Sequence, residues 1–183
     1  FYELFLKFGN KKIINKQPFP RYSYEESINK FGTDKPDLRN PIEISDVTEI
    51  IDSDDVSLEL FKKLIKKGCI VKAIPAPSTA NKPRSFFDNL NKWSIDEGAK
   101  GLAYLSFEDT SPKGPISKFF KNSAIKKIML KCNLKDKDSI FFVCDKKDQA
   151  EKFSGIVRQK LGSDLNLIEK NSFKFCWIVD FPM

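Results

Sequence analysis

Val56-Ser-Leu-Glu-Leu-Phe-Lys-Lys-Leu-Ile-Lys-Lys-Gly-Cys-Ile-Val-Lys-Ala-Ile-Pro-Ala-Pro77 can be read in two ways. Leu58, Phe61, Leu64 and Ile65 fit one helical face, whereas Val56, Leu58 and Leu60 alternate with Ser57 and Glu59 as in a strand. The alternation favours a strand, a turn at Lys67-Gly68, and a second strand from Cys69 to Ile74, stopped by Pro75 and Pro77. That choice makes the middle of the chain a sheet with helices laid on it.

Outward from this stretch, the pattern alternates. SFFDNLNKWSIDEG (85–98) is a predicted helix with Phe86, Phe87, Leu90 and Trp93 on one face, and GAKGLAYLSF (98–107) turns into a strand. SPKGPISKFF (111–120) reads as a loop with a short extended piece, and SAIKKIMLKC (123–132) as a helix. Asp138–Cys144 is a buried strand, KDQAEKFSGIVRQKLG (147–162) an amphipathic helix ending at Gly162, and FKFCWIVDFP (173–182) a last strand. Upstream, Phe1, Leu4, Phe5 and Phe8 share a helical face with Gly9 as a left-handed cap. The basic stretch KKIINKQPFP (11–20) connects onward. Ser23 and Glu26 predict a capping box for a helix that ends at Gly32. Asp46 and Glu49 predict a second helix start. The expected class is α+β, a two-layer α/β sandwich with helices on one face of a mixed sheet.

Composition excludes several chemistries. The chain has 183 residues, 17 of them Phe, is 40% hydrophobic and carries a net charge of +7. No apolar run reaches the ~20 residues that span a bilayer. There is no His, and Cys69, Cys132, Cys144 and Cys176 are scattered, so no metal site is expected. The same absence removes Ser-His-Asp and Cys-His catalysis. Cys144 and Cys176 read as buried free thiols, which fits a reducing cytoplasm. Neither GxxxxGK[ST] nor GxGxxG occurs. The acidic pairs Glu25-Glu26, Asp54-Asp55 and Glu108-Asp109 fall at element ends, where carboxylates cap or solvate. Among the basic clusters, Lys82 and Arg84 lie in a polar loop able to reach a phosphate backbone, or merely to solubilise the surface.

FGTDKPDLRNP, Phe31–Pro41, packs Asp34, Lys35, Asp37 and Arg39 around Pro36, too stiff for a helix. With the preceding FPRYSYEESINK it resembles bacterial-type aspartyl-tRNA synthetases, whose pattern runs from a helix opening FPxxxYxEA into YGSDKPDLRNP. Here Phe31 replaces Tyr and Thr33 replaces Ser. GAKGLAYLSF, GPISKFF, DSIFFVCD, QKLGSDLNL and FCWIVDFPM extend the resemblance in order along nearly the whole chain.

The resemblance implies an antiparallel class II catalytic domain interrupted by a GAD module, a DCoH-like sandwich shared with glutamyl-tRNA amidotransferase subunits. It maps 1–44 and 171–183 to catalytic-domain segments and 45–170 to the insertion. It implies an internal piece of an aspartate–tRNA ligase, expected to be cytoplasmic and homodimeric, whose substrates are aspartate, ATP with Mg²⁺, and tRNA for Asp, with Asn left open. The family's ATP-binding and motif 3 residues would lie outside this chain, so no catalytic, cofactor or metal residue is assigned here, and the piece alone would be an inactive monomer. Asp34, Lys35, Asp37 and Arg39 would sit at the domain junction, pairing locally or across it, or forming only a rigid surface turn. Two other readings stand beside this one: a GAD-bearing module of a tRNA-dependent amidotransferase, and a free-standing RNA-binding or interaction domain.

Overall fold

The computed structural model describes residues 1–10, 12–109 and 111–182. In chain order the elements are α1 (Tyr2–Phe8), β1 (Ile13–Ile14), β2 (Arg21–Ser23), α2 (Tyr24–Phe31), β3 (Ser45–Asp46), α3 (Thr48–Asp52) and α4 (Glu59–Lys66). Then come β4 (Cys69–Ala76), α5 (Arg84–Asp96), β5 (Ala103–Glu108), β6 (Ser111–Lys113), a 3-10 turn at Ser117–Phe119, α6 (Asn122–Lys131), β7 (Ser139–Lys146), α7 (Lys147–Asp164), β8 (Ser172–Phe173) and β9 (Trp177–Val179). Met183, the end of the expected return strand, and Lys11 of the basic connector lie outside the described residues. No described helix is long and apolar enough to cross a membrane.

The stretch Val56–Pro77 is helix then strand, not two strands. As a strand, each of the pairs Lys62-Lys63 and Lys66-Lys67 would send one lysine to the buried face. As a helix, α4 turns Phe61 and Ile65 inward with Leu58, and leaves Leu60 64% exposed. Cost of charge burial therefore decides against the alternation. The second strand runs past Pro75 to Ala76. Val71 offers its carbonyl and amide to Val47 and Thr48 on the β3 side, and alternation points the Pro75 nitrogen the same way. There the β3 ladder has already ended at Ala73, so the missing N–H breaks no bond.

β3, β4, β7, β5 and β6 lie side by side in that order, and every ladder is antiparallel. The α+β class is as the sequence predicts, but the sheet is not mixed and helices cover both faces instead of one. Val71, Ala73, Leu105, Ile140 and Phe142 face α3, α4 and α6, while Ile74, Ala76, Phe141 and Val143 face α5 and α7. The reason is that β4 and β7 are apolar on both sides, and each side needs a cover. Ile42 and Ile44, from the loop before β3, complete the α5–α7 side.

The two ends of the chain meet through short pairings. β1 pairs with β8 and β2 with β9, both parallel, in contrast to the antiparallel sheet that the resemblance implies for these segments. In α1 the shared aromatic face is only partly used. Phe5 packs edge-on against Phe173 and Phe175 at 4.9 and 4.8 Å, while Leu4 and Phe8 stay exposed. Gly9 is not left-handed (φ −80). A Cβ there would lie 2.3 Å from the Phe5 carbonyl oxygen, so close approach explains the residue.

Candidate functional site at the junction

The loop after α2 carries the charged residues singled out above. α2 begins as predicted: Ser23 Oγ accepts from the Glu26 amide (3.1 Å), and the Glu26 carboxylate accepts from the Ser23 amide (2.8 Å). It ends at Gly32 in the left-handed region (φ 71). At the next predicted start, Asp46 Oδ1 accepts from the Thr48 amide at 2.9 Å, and α3 has no capping side chain of its own.

The loop's charges pair within the loop. Lys35 Nζ reaches Asp34 at 3.2 Å, and Arg39 grips Asp37 with two near-parallel bonds of 2.9 and 2.8 Å. The Arg39 guanidinium holds the Asp37 carboxyl below the usual carboxylate range. These partners are a third or more exposed, so their contribution to stability is at most ~1 kcal/mol. Among the described residues, none of the four forms an ion pair with the sheet module, although the charge of Arg158 on α7 helps to lower the Asp37 carboxyl.

What crosses is Arg158, which sequence reading missed. It lies on α7 with 1% of its surface exposed. Its Nε donates to the Ile42 carbonyl (2.6 Å), and its Nη2 to the carbonyls of Asn40 (2.8 Å) and Asp37 (3.0 Å). The guanidinium also lies 5.0 Å from the Phe31 ring centroid. Burial pushes its pKa down to about 10, which leaves it charged at neutral pH. Asn40 answers by donating to the Arg158 carbonyl (2.9 Å) and accepting from the Ile42 amide (3.1 Å).

Two glycines let the loop come this close. A Cβ on Gly155 would sit 2.7 Å from the Gly32 carbonyl oxygen, and one on Gly162 would sit 2.3 Å from the Asn40 side chain. Gly155, Arg158 and Gly162 follow each other at three and four residues, so they line one face of α7. Interior glycine weakens a helix, and that was the signal available in the sequence.

A second tie lies beside the first. Lys72 on β4 is fully buried, and its Nζ donates to Asn29 Oδ1 of α2 (2.9 Å). The ammonium lies 3.4 Å from Asp46 and 4.0 Å from Glu151. Burial raises the Asp46 carboxyl, but the bonds from Thr48 and the charge of Lys72 outweigh it and hold the group low. Burial dominates at Glu151 and pushes its carboxyl up against the pull of Lys72.

Lys82 and Arg84 are exposed, as expected, but they are not on a loose loop. Thr79 Oγ1 donates to the Ala76 carbonyl, the Ala80 amide to Lys137, and the Ser78 amide to Asp138. Arg84 opens α5 and pairs with Asp88 at 3.4 Å. Elsewhere, Cys69 and Cys132 are buried, and Cys144 and Cys176 half-buried. Burial pushes the thiols of Cys132 and Cys144 to about 11 and about 12, so they are poor nucleophiles. Among the described residues, no three His, Cys, Asp or Glu side chains converge as metal ligands.

Comparison with known proteins matches the GAD domain family over residues 61–153. The aspartate–tRNA(Asp/Asn) ligase of Rickettsia prowazekii is 52% identical over 182 residues, covering 99% of this chain and 30% of that protein. Its namesake in Paramagnetospirillum magneticum is 51% identical over 98% of this chain and 20% of the relative, and that of Pelagibacter ubique 49% over 98% and 31%. The chain thus spans between a fifth and about a third of the length of these relatives. A hypothetical protein of Pyrococcus horikoshii aligns at TM-score 0.36 and 15% identity over 60% of this chain and 68% of its own, too slight a likeness to define the fold. With an antiparallel sheet and its helices occupying the matched residues, this chain belongs to the GAD domain family.

Proposed function

We propose that the chain serves as the GAD-bearing part of an aspartate–tRNA ligase. The observation that carries this reading is the reach of the similarity. It extends over 98–99% of the chain, well past residues 61–153, and so includes the DKPDLRNP loop and both terminal segments. A module merely borrowed by another enzyme would share the GAD residues and not the flanks. In this reading 1–44 and 171–183 belong to the catalytic domain and 45–170 to the insertion. The whole enzyme activates aspartate with Mg²⁺-bound ATP and passes it to the 3′ end of tRNA. By the names of its relatives, tRNAs for both Asp and Asn are substrates. The whole enzyme is a cytoplasmic homodimer, and this chain on its own is a monomer.

The chain's part is placement rather than chemistry. Arg158, Asn40 and the α7 glycines fix the module to the DKPDLRNP loop, and positioning of this kind governs catalytic efficiency when substrates are large. Asp34, Lys35, Asp37 and Arg39 stiffen that loop at the junction. Lys82 and Arg84 offer a minor contact to the tRNA backbone.

Aspartate-dependent ATP–pyrophosphate exchange tests the reading. The purified 183-residue chain should give none, and the longer polypeptide that contains it should give robust exchange. Exchange by the chain alone overturns the accessory role; no exchange by the longer polypeptide overturns the ligase reading.

A further inference from the structure

Five lysines gather where α4 ends and α7 begins. The β4–β7 register sets Cys69 opposite Lys146, which brings the Lys66-Lys67 end of α4 beside the Lys146-Lys147 start of α7. Lys146 Nζ donates to the Lys67 carbonyl at 2.6 Å, and Lys63 lies one turn back along α4. Lys63, Lys66, Lys67, Lys146 and Lys147 are all exposed. Among the described residues, none of the five forms an ion pair. The nearby Asp145 is taken by Lys100 at 2.8 Å, and Asp148 is the acidic residue in the first turn of α7.

The α4 lysines have an ordinary explanation, since cations complement the negative end of a helix. Lys146 Nζ likewise serves the α4 end through the Lys67 carbonyl, whereas Lys147 has no such role. Both stand at the positive end of an 18-residue helix, where acidic residues are the favoured choice. Mutual repulsion and the helix dipole therefore add at one spot, and an external polyanion relieves both. Arg84, by contrast, is already neutralised by Asp88.

We infer that this end of the module, formed by Lys63, Lys66, Lys67, Lys146 and Lys147, is a docking surface for the phosphate backbone of RNA. Lysines act as point charges without the planar fork that reads base edges, so the surface contributes affinity and placement and no sequence preference. The choice of RNA rests on the ligase reading, in which the RNA is tRNA.

The test measures binding of the 183-residue chain to a tRNA-Asp transcript at several salt concentrations. The compared variants are Lys63→Gln/Lys66→Gln/Lys147→Gln, the same three positions changed to Arg, and Lys82→Ala/Arg84→Ala. Lys67 and Lys146 are left intact because Lys146 Nζ donates to the Lys67 backbone carbonyl. The Gln triple should weaken binding about tenfold or more near 0.1 M salt. It should also flatten the log K against log salt slope by about two to three units, one per lost phosphate contact. The Arg triple should bind like the unsubstituted chain, and the Lys82/Arg84 variant should lose no more than about twofold. An unchanged Gln triple, a larger loss in the Lys82/Arg84 variant, or binding to phosphatidylserine vesicles without binding to tRNA would overturn the inference. In the longer polypeptide, the Gln triple should keep aspartate-dependent pyrophosphate exchange. Lost tRNA binding with intact exchange supports the surface. Exchange absent from the unsubstituted polypeptide, with this lysine-dependent binding intact, refutes the ligase reading alone.

Discussion

Around the five-stranded sheet, two separate apolar clusters are sealed by helices on opposite faces. The terminal segments meet through strand pairs of two and three residues and leave Phe1, Phe8, Ile13, Trp177 and Phe181 largely exposed. Most of the described apolar burial thus lies around the sheet, and the terminal strand pairs add little. The boundary between them is nevertheless not a loose hinge. Ile42 and Ile44 enter the module's core, Arg158 reaches back to three loop carbonyls, and Lys72 bonds to α2. The sheet is thus bolted to the loop at its edge, by buried polar groups beside the two isoleucines.

Truncation should break this comparison most strongly. A 45–170 piece keeps the cluster under α3, α4 and α6 but loses Ile42, Ile44 and every partner of Arg158 in the loop. It should unfold cooperatively, yet fall below a 31–170 piece by roughly 3–6 kcal/mol from the two isoleucines alone. Equal denaturation midpoints for the two pieces would mean that the loop adds nothing to the module. Next comes Arg158→Ala, which orphans the carbonyls of Asp37, Asn40 and Ile42. A loss of about 3–4 kcal/mol is expected in urea unfolding of the whole chain. A loss under ~1 kcal/mol would show that water replaces the guanidinium freely. Gly155→Ala should cost about 1–3 kcal/mol, because the new methyl meets rigid backbone at Gly32 rather than a side chain that can move.

The smallest effect is a pH effect at Asp37. Its folded carboxyl is held below its unfolded value by Arg39. The resulting stability is complete above the unfolded value of ~3.9 and is lost as pH falls through the folded value. Arg39→Ala should remove less than ~1 kcal/mol at pH 7. The stability gap to the unsubstituted chain should close in acid. A gap that widens below pH 4 would contradict the assignment of the shift to Arg39.

Sequence alone made some of these features legible and hid others. The α2 cap was readable because Ser23 and Glu26 act on neighbouring backbone. β7 was readable as a buried strand, and its apolar run Ile140–Cys144 carried an overlooked message: a strand apolar on both sides needs helices on both sides. α4 was misread because eight residues satisfy two periodicities, and only the lysine pairs discriminate. Arg158 stayed hidden because its partners lie more than a hundred residues away, and an arginine in an amphipathic helix looks solvated. Gly155 was the clue within reach. Gly162 looked like a helix end, although α7 continues to Asp164. The lysine surface was equally tertiary, since β4–β7 pairing joins residues about eighty positions apart.

Native-state hydrogen exchange tests most directly whether the α7 face bolts loop and module into one unit. The Ile42 amide, bonded to Asn40 Oδ1, and the Ile44 amide, bonded to the Lys30 carbonyl, report on the loop; Phe141 and Phe142 report on the sheet. The two loop amides should be strongly protected in the unsubstituted chain. In Arg158→Ala they should lose much of that protection while Phe141 and Phe142 keep theirs. Loop amides that exchange at nearly free-chain rates beside a well-protected sheet in the unsubstituted chain would contradict the bolting.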